Sequence, residues 1–254
     1  MELTTQEWHL SVEGIKLCSL VYDLSNGELY DAVEELGATE PRYITNFMTD
    51  TELLVCRWKG CIYVVPRATK SLADVKQDMK AWRKKGRHLG FLEAADSVWG
   101  QVSNYAADRP HVPIVCVGHS LGGAIAVNHA EWLTKQGRDV HLITYGQPRV
   151  YGPSAGKKAV AGLQCYSRWV HNRDGVPRLP PSFFGLYKHH GDLRYINHKG
   201  ELSDKTSDWV KGAARGWRKM FTTFNAKGLE DHSAKEYLAD ILALEPKPPR
   251  WGNA

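Results

Sequence analysis

The run Ile114-Val115-Cys116-Val117-Gly118-His119-Ser120-Leu121-Gly122-Gly123-Ala124 sets apolar residues ahead of a glycine-flanked serine and a helix-forming stretch behind it. Strand, sharp turn and helix in that order make a nucleophile elbow, the G-x-S-x-G arrangement in which the serine oxygen stands exposed at the turn. Gly118 and Gly122 keep side chains out of a crowded backbone. The helix expected from Leu121 to Lys135 aims its free N-terminal amides at the reacting centre, so the Leu121 amide is a candidate oxyanion donor.

A serine hydroxyl is a weak nucleophile at neutral pH and needs a histidine to take its proton and a carboxylate to orient that histidine. After Ser120 the histidines are His129, His141, His171, His189, His190, His198 and His232. His129 falls on the elbow helix, and His141 and His171 fall inside predicted strands, which aims them poorly. His232 follows the loop Lys227-Gly228-Leu229-Glu230-Asp231 and precedes a helix, where a side chain can be directed without disturbing a sheet. Asp174 lies in the turn Asn172-Arg173-Asp174-Gly175-Val176-Pro177, at the end of a predicted parallel strand, the edge where catalytic groups gather. Ser120, Asp174 and His232 also follow one another in the order serine, acid, histidine.

Around the elbow the pattern alternates strand and helix, hence α/β with a mostly parallel central sheet flanked by helices. The expected elements are a helix from about Ser11 to Tyr22 capped by Ser11, and strands Tyr43 to Met48, Glu52 to Trp58 and Cys61 to Pro66 in an antiparallel start. A helical stretch Ser71 to Lys85 and a helix Phe91 to Ala107 follow. Next come the strand Pro113 to Val117, the elbow helix, the strand Val140 to Tyr145, a loop rich in Pro and Gly, and the strand Gln164 to His171. A hairpin near Leu186 to Asn197, a long helix about Ser207 to Phe224 and a last helix Ser233 to Leu244 close the chain.

Length and composition suit one domain over residues 1–254 with a sizeable core. No stretch approaches the roughly 20 apolar residues of a membrane span. The net charge of +5 is not concentrated as nucleic-acid binders concentrate it, so no nucleic-acid partner is expected. Cys18, Cys56, Cys61, Cys116 and Cys165 are an odd number without metal-ligand spacing, and they suit buried free thiols in a reducing compartment. Cys56 and Cys61 flank a turn that could bring them opposite one another. Met1 to Glu13 contains no basic segment followed by an apolar run. The expectation is a cytoplasmic protein, or one exported by a route without that signal, or one already processed.

Several segments together resemble the class 3 lipase family, the fungal-type triacylglycerol lipases of the α/β-hydrolase fold. They are Gly118 to Ala124, Thr144-Tyr145-Gly146-Gln147-Pro148-Arg149-Val150, Val170 to Pro177, and Asp231-His232-Ser233 with Tyr237. His88-Leu89-Gly90-Phe91 and Tyr187-Lys188-His189-His190-Gly191 fit as well, so the resemblance covers roughly residues 10 to 245. It implies Ser120 as nucleophile, Asp174 as orienting acid, His232 as base and no cofactor or metal. It also implies a second oxyanion donor at Thr69, within Val65-Pro66-Arg67-Ala68-Thr69-Lys70-Ser71-Leu72. This segment departs from the family pattern, with Pro66 where an aromatic is usual and Ala68 in place of glycine, and alanine adds a methyl beside the oxyanion pocket.

The implied activity is hydrolysis of carboxylic esters of acylglycerol type through an acyl-enzyme. A phospholipase or galactolipase acting on membrane lipids is an alternative, and so is a lipase-like binding protein. Leu72, Val75, Met79 and Trp82 form an apolar stripe where the family places its lid; the stripe suits a lid meeting lipid or a helix packed on the core. Trp209 to Phe224, basic and aromatic, suits peripheral contact with a lipid surface, although such a stripe is more often simply core.

Overall fold

The computed structural model describes residues 3–67, 83–84, 86–172, 174–180, 186–210 and 232–246. The expected lid stretch, Ala68, Thr69 and most of the helix expected over Ser207 to Phe224 lie outside them; residues 206–210 are helical.

Eight strands form one sheet in the order of the chain: β1 (Thr39–Asn46), β2 (Thr51–Trp58), β3 (Cys61–Pro66), β4 (Ile114–His119), β5 (Val140–Tyr145), β6 (Cys165–His171), β7 (Asp192–Ile196) and β8 (Leu202–Ser203). β3 to β7 run parallel, while β1 and β2 at one edge and β8 at the other are antiparallel to their neighbours. The sheet is covered on both faces, and strand alternation divides its side chains between two cores. Ile62, Val64, Ile114 and Cys116 point to the side of α3 (Leu89–Ser97), α4 (Trp99–Ala107) and α5 (Ser120–Lys135). Tyr63, Val65, Val115 and Val117 point to the side of α1 (Thr5–Asp23), α2 (Asn26–Glu35) and α7 (Ala234–Ala243).

The structure corrects several expected elements. α1 starts earlier than Ser11, because the Thr4 side chain accepts the Glu7 amide and makes the cap; Ser11 is buried mid-helix and donates back to the Glu7 carbonyl. The sequence pattern gave no signal for α2, whose sequence is mostly polar. The single helix expected over Phe91 to Ala107 is two, divided at Val98, which leaves the helical region at φ −120° while burying its side chain. The Pro- and Gly-rich loop contains α6 (Pro153–Ala159), with Pro153 at a first-turn position where its missing amide costs nothing. Gly156 inside it is a packing glycine, since a Cβ there would strike the His190 ring.

The hairpin lies later than Leu186 to Asn197. β7 is a single strand parallel to β6, and the turn to β8 is made by Asn197, whose side chain accepts the amides of Lys199 (2.8 Å) and Glu201 (3.2 Å). Cys56 and Cys61 do not pair: the β2–β3 register sets Cys56 opposite Tyr63 and Cys61 opposite Trp58, and all five cysteines are free.

Candidate active site

At the end of β4 the chain turns directly into α5, and Ser120 is held at φ +56°, a left-handed conformation that a residue with a side chain adopts at a cost. The turn closes on backbone contact. A Cβ on Gly118 would collide with the backbone of Gly122 and Gly123, and one on Gly122 with the Pro66 carbonyl at the end of β3. The glycines of the motif therefore let two strand ends and a helix start share one volume.

His232 Nε2 lies 2.8 Å from Ser120 Oγ, and His232 Nδ1 lies 2.8 Å from Asp174 Oδ2. A carboxylate only accepts, so Nδ1 carries the ring proton and Nε2 is left to accept the serine hydroxyl. All three side chains are buried. Asp174 follows β6, and its Oδ1 accepts the Val176 amide at 2.9 Å, which fixes the carboxylate's plane. His232 stands just before α7, whose Ser233 cap accepts the Lys235 amide.

Three further residues complete the site. Tyr237, fully buried on the first turn of α7, donates to Asp174 Oδ2 at 2.7 Å and accepts the His171 amide at 3.0 Å, tying acid loop to base helix. Burial, and the Asp174 charge beside it, push the Tyr237 hydroxyl well above its ordinary range, so it stays a donor. The His119 ring lies 4.6 Å from that of His232, and its Nε2 donates to the His232 carbonyl at 2.6 Å. Burial first, and then the neighbouring His232, hold His119 well below the usual histidine range, which keeps a second positive charge away from the base. Gly146, at φ +59°, passes under the pair: a Cβ there would come within 2.7 Å of Asp174 Oδ2 and 2.8 Å of His232 Cε1.

Gly146 and Tyr237 appear in the sequence only as parts of matching segments. Tyr237 stands four residues after the Ser233 cap, a spacing that returns it to the side of the helix that the cap occupies. His119 is a motif position of unspecified type and carries no signal of its own.

Three of the other histidines are occupied elsewhere. His129 Nε2 lies 2.9 Å from the Ala95 carbonyl, His171 pairs with Asp240 at 2.7 Å, and His189 Nε2 lies 2.5 Å from the Pro177 carbonyl. Leu121 lies in the first turn of α5, where amides have no intrahelical acceptor. Thr69 lies outside the described residues, but Arg67, two residues before it, is buried and anchored by Glu52 at the start of β2. Among the described residues no three His, Cys, Asp or Glu side chains gather as a metal would need, and no helix is long and apolar enough to cross a membrane.

Comparison with known proteins accounts for this geometry. The family model for class 3 lipases matches residues 63–184, which carry the elbow and the acid loop. The chain is 41% identical over 108 residues to the secreted mono- and diacylglycerol lipase 1 of Fusarium solani, covering 41% of this chain and 32% of the relative. It is 35% identical over 184 residues to a lipase of Rhizomucor miehei, covering 65% of this chain and 50% of the relative. The chain thus spans half the length, or less, of these relatives. Its fold superposes with a TM-score of 0.64 and 28% identity on a triacylglycerol lipase whose catalytic centre is described as a serine protease triad, covering 81% of this chain and 88% of that one.

The expectation of a cytoplasmic protein is corrected by the Fusarium solani relative, which is a secreted lipase. The thiols misled because they suggested a reducing compartment. Cys18, Cys56 and Cys116 are buried in the sheet's cores, and burial pushes all three thiols well up, so they are inert in any compartment. A strand-to-helix serine turn in an α/β-hydrolase sheet, the hydrogen-bonded serine, histidine and aspartate, and the matches to fungal lipases together make the chain similar in sequence and fold to the class 3 lipases, whose family model matches residues 63–184.

Proposed function

We propose that this chain hydrolyses carboxylic esters of acylglycerol type, with Ser120 as nucleophile, His232 as general base and then acid, and Asp174 as the group that orients and stabilises the imidazolium. The observation that carries this proposal is the continuous hydrogen-bond line from Ser120 Oγ through His232 to Asp174, 2.8 Å at each step, starting from a serine held in a left-handed turn. Ser120 Oγ attacks the ester carbonyl while His232 Nε2 takes its proton. The Leu121 amide, and Thr69 from the segment after β3, stabilise the oxyanion. His232 then returns the proton to the leaving alcohol, and water, deprotonated by the same nitrogen, releases the acid. The sequence kinship with lipases supports a lipid ester as substrate and action outside the cell, at the surface of a lipid aggregate.

The test is turnover of soluble and emulsified esters of increasing acyl length, with a phospholipid included. Hydrolysis that favours emulsified acylglycerols, and that falls on the order of 10⁴-fold or more in Ser120→Ala, is expected. No turnover of any ester by folded protein would overturn the proposal.

A further inference from the structure

The two most exposed large apolar side chains among the described residues are neighbours. Phe47 is 93% exposed and Met48 94%, against 56% for Val210, 45% for Leu186 and 42% for Leu242. Single apolar residues on a surface need no explanation. A phenylalanine and a methionine standing side by side at the tip of a hairpin, both almost wholly in water, do.

The tip is built to hold them there. Asn46 Oδ1 accepts the amides of Met48 (3.0 Å) and Thr49 (3.3 Å), while its Nδ2 donates to the Ser97 carbonyl at 3.0 Å. The Thr49 hydroxyl donates to the Ser97 hydroxyl at 2.7 Å, and Asp50 turns the chain at φ +47°. The end of β1 and the turn are thereby fixed to Ser97 at the end of α3, so a relaxed tip that folds its apolar side chains back is not what these hydrogen bonds encode.

Register places this tip on the edge of the sheet that carries the serine. β3 runs parallel to β4, so Pro66 and Ser120 leave the sheet at the same edge. Leu53 pairs with Pro66 and Asn46 with Thr51, which carries the β1–β2 tip beyond that edge. Three strand spacings separate β1 from β4, about 14 Å. The pair stands on the serine's edge of the sheet, three strands away from it.

Resting on the lipid-ester function above, we propose that Phe47 and Met48 form an insertion point by which the chain seats its catalytic edge on a lipid surface. A protein partner fits less well. Two such side chains offer roughly 350 Å², well under the about 800 Å² that each partner buries in a stable complex. An acyl-chain layer needs no complementary pocket and takes apolar side chains one at a time. Asp50 on the same turn favours a neutral lipid surface over an anionic one.

The experiment is sedimentation of the full chain, in a Ser120→Ala background so that lipid stays intact, with sucrose-loaded phosphatidylcholine vesicles. Replacing both residues, Phe47→Ser with Met48→Ser, is expected to weaken partitioning about 10- to 100-fold. Leu242→Ser, a change at the other end of α7 from His232, is expected to leave it unchanged. With Ser120 restored, the double variant keeps turnover of a soluble short-chain ester within about twofold and keeps its thermal midpoint. Three results would overturn the proposal: equal partitioning of parent and double variant, equal loss of soluble turnover, or a parent dimer that dissociates in the double variant. Partitioning is read without catalysis, so tip-dependent binding by a chain that cleaves no ester would remove the activity and leave the insertion point standing.

Discussion

Gly146 is the smallest residue that decides the site. Its left-handed backbone and the missing side chain leave room for the Asp174–His232 hydrogen bond, so Gly146→Ala meets both strain and collision. The expected outcome is a loss of about 2 kcal/mol or more in unfolding free energy and a fall in kcat/KM beyond about 100-fold, read by denaturant titration and ester kinetics. Tyr237→Phe is gentler. It removes one donor from Asp174 and leaves the His171 amide without its acceptor, so kcat falls roughly 10-fold while KM stays nearly constant; a matching rise in KM would mean that Tyr237 shapes the substrate site. Ser120, Asp174 and His232 could be named from the sequence because each sits at a chain position where strand ends and loops aim side chains. His119, Gly146 and Tyr237 could not be reasoned out one by one, because their work lies in contacts between segments far apart in the chain.

The elements show the same division. β2, β3, β5 and α5 are close to where the sequence pattern puts them, because each is a mostly apolar run, buried nearly all round and bounded by turn residues. α2 and α6 were invisible, one polar and one hidden behind Pro and Gly, and both are helices fixed by what they pack against. α5 also carries a pH dependence. Burial lowers His129 to about 4 from its ordinary 6.5, with the Ala95 carbonyl opposing only in part. Between those values the unfolded chain binds a proton that the folded chain refuses, so stability falls as pH drops from 6.5 and the loss levels off near 4. His129 accounts for up to about 3 kcal/mol of that loss. In His129→Gln the slope of unfolding free energy against pH should flatten in this window; an unchanged slope would assign the acid sensitivity elsewhere.

Over the whole molecule, α1 and α7 meet on one face of the sheet. Glu7 of α1 pairs with Arg194 of β7 at 2.7 Å and also takes the Ser167 hydroxyl, all of them buried, so Glu7→Ala takes a carboxylate away from a buried cation and should cost about 2 kcal/mol or more by denaturant unfolding. Trp8 Nε1 donates to the Ile241 carbonyl at 2.8 Å, so α1 also carries the helix that follows the base. Nothing in the local pattern of either segment announces this, since the partners lie 233 positions apart. The arrangement sets an order of events during synthesis. The serine emerges 112 residues ahead of the histidine to which it is hydrogen-bonded. A nascent chain can lay down its parallel strands and its strained turn while its hydroxyl is still no better a nucleophile than any other serine. On the proposed mechanism that hydroxyl gains its base only once α7 has been made and has docked on α1.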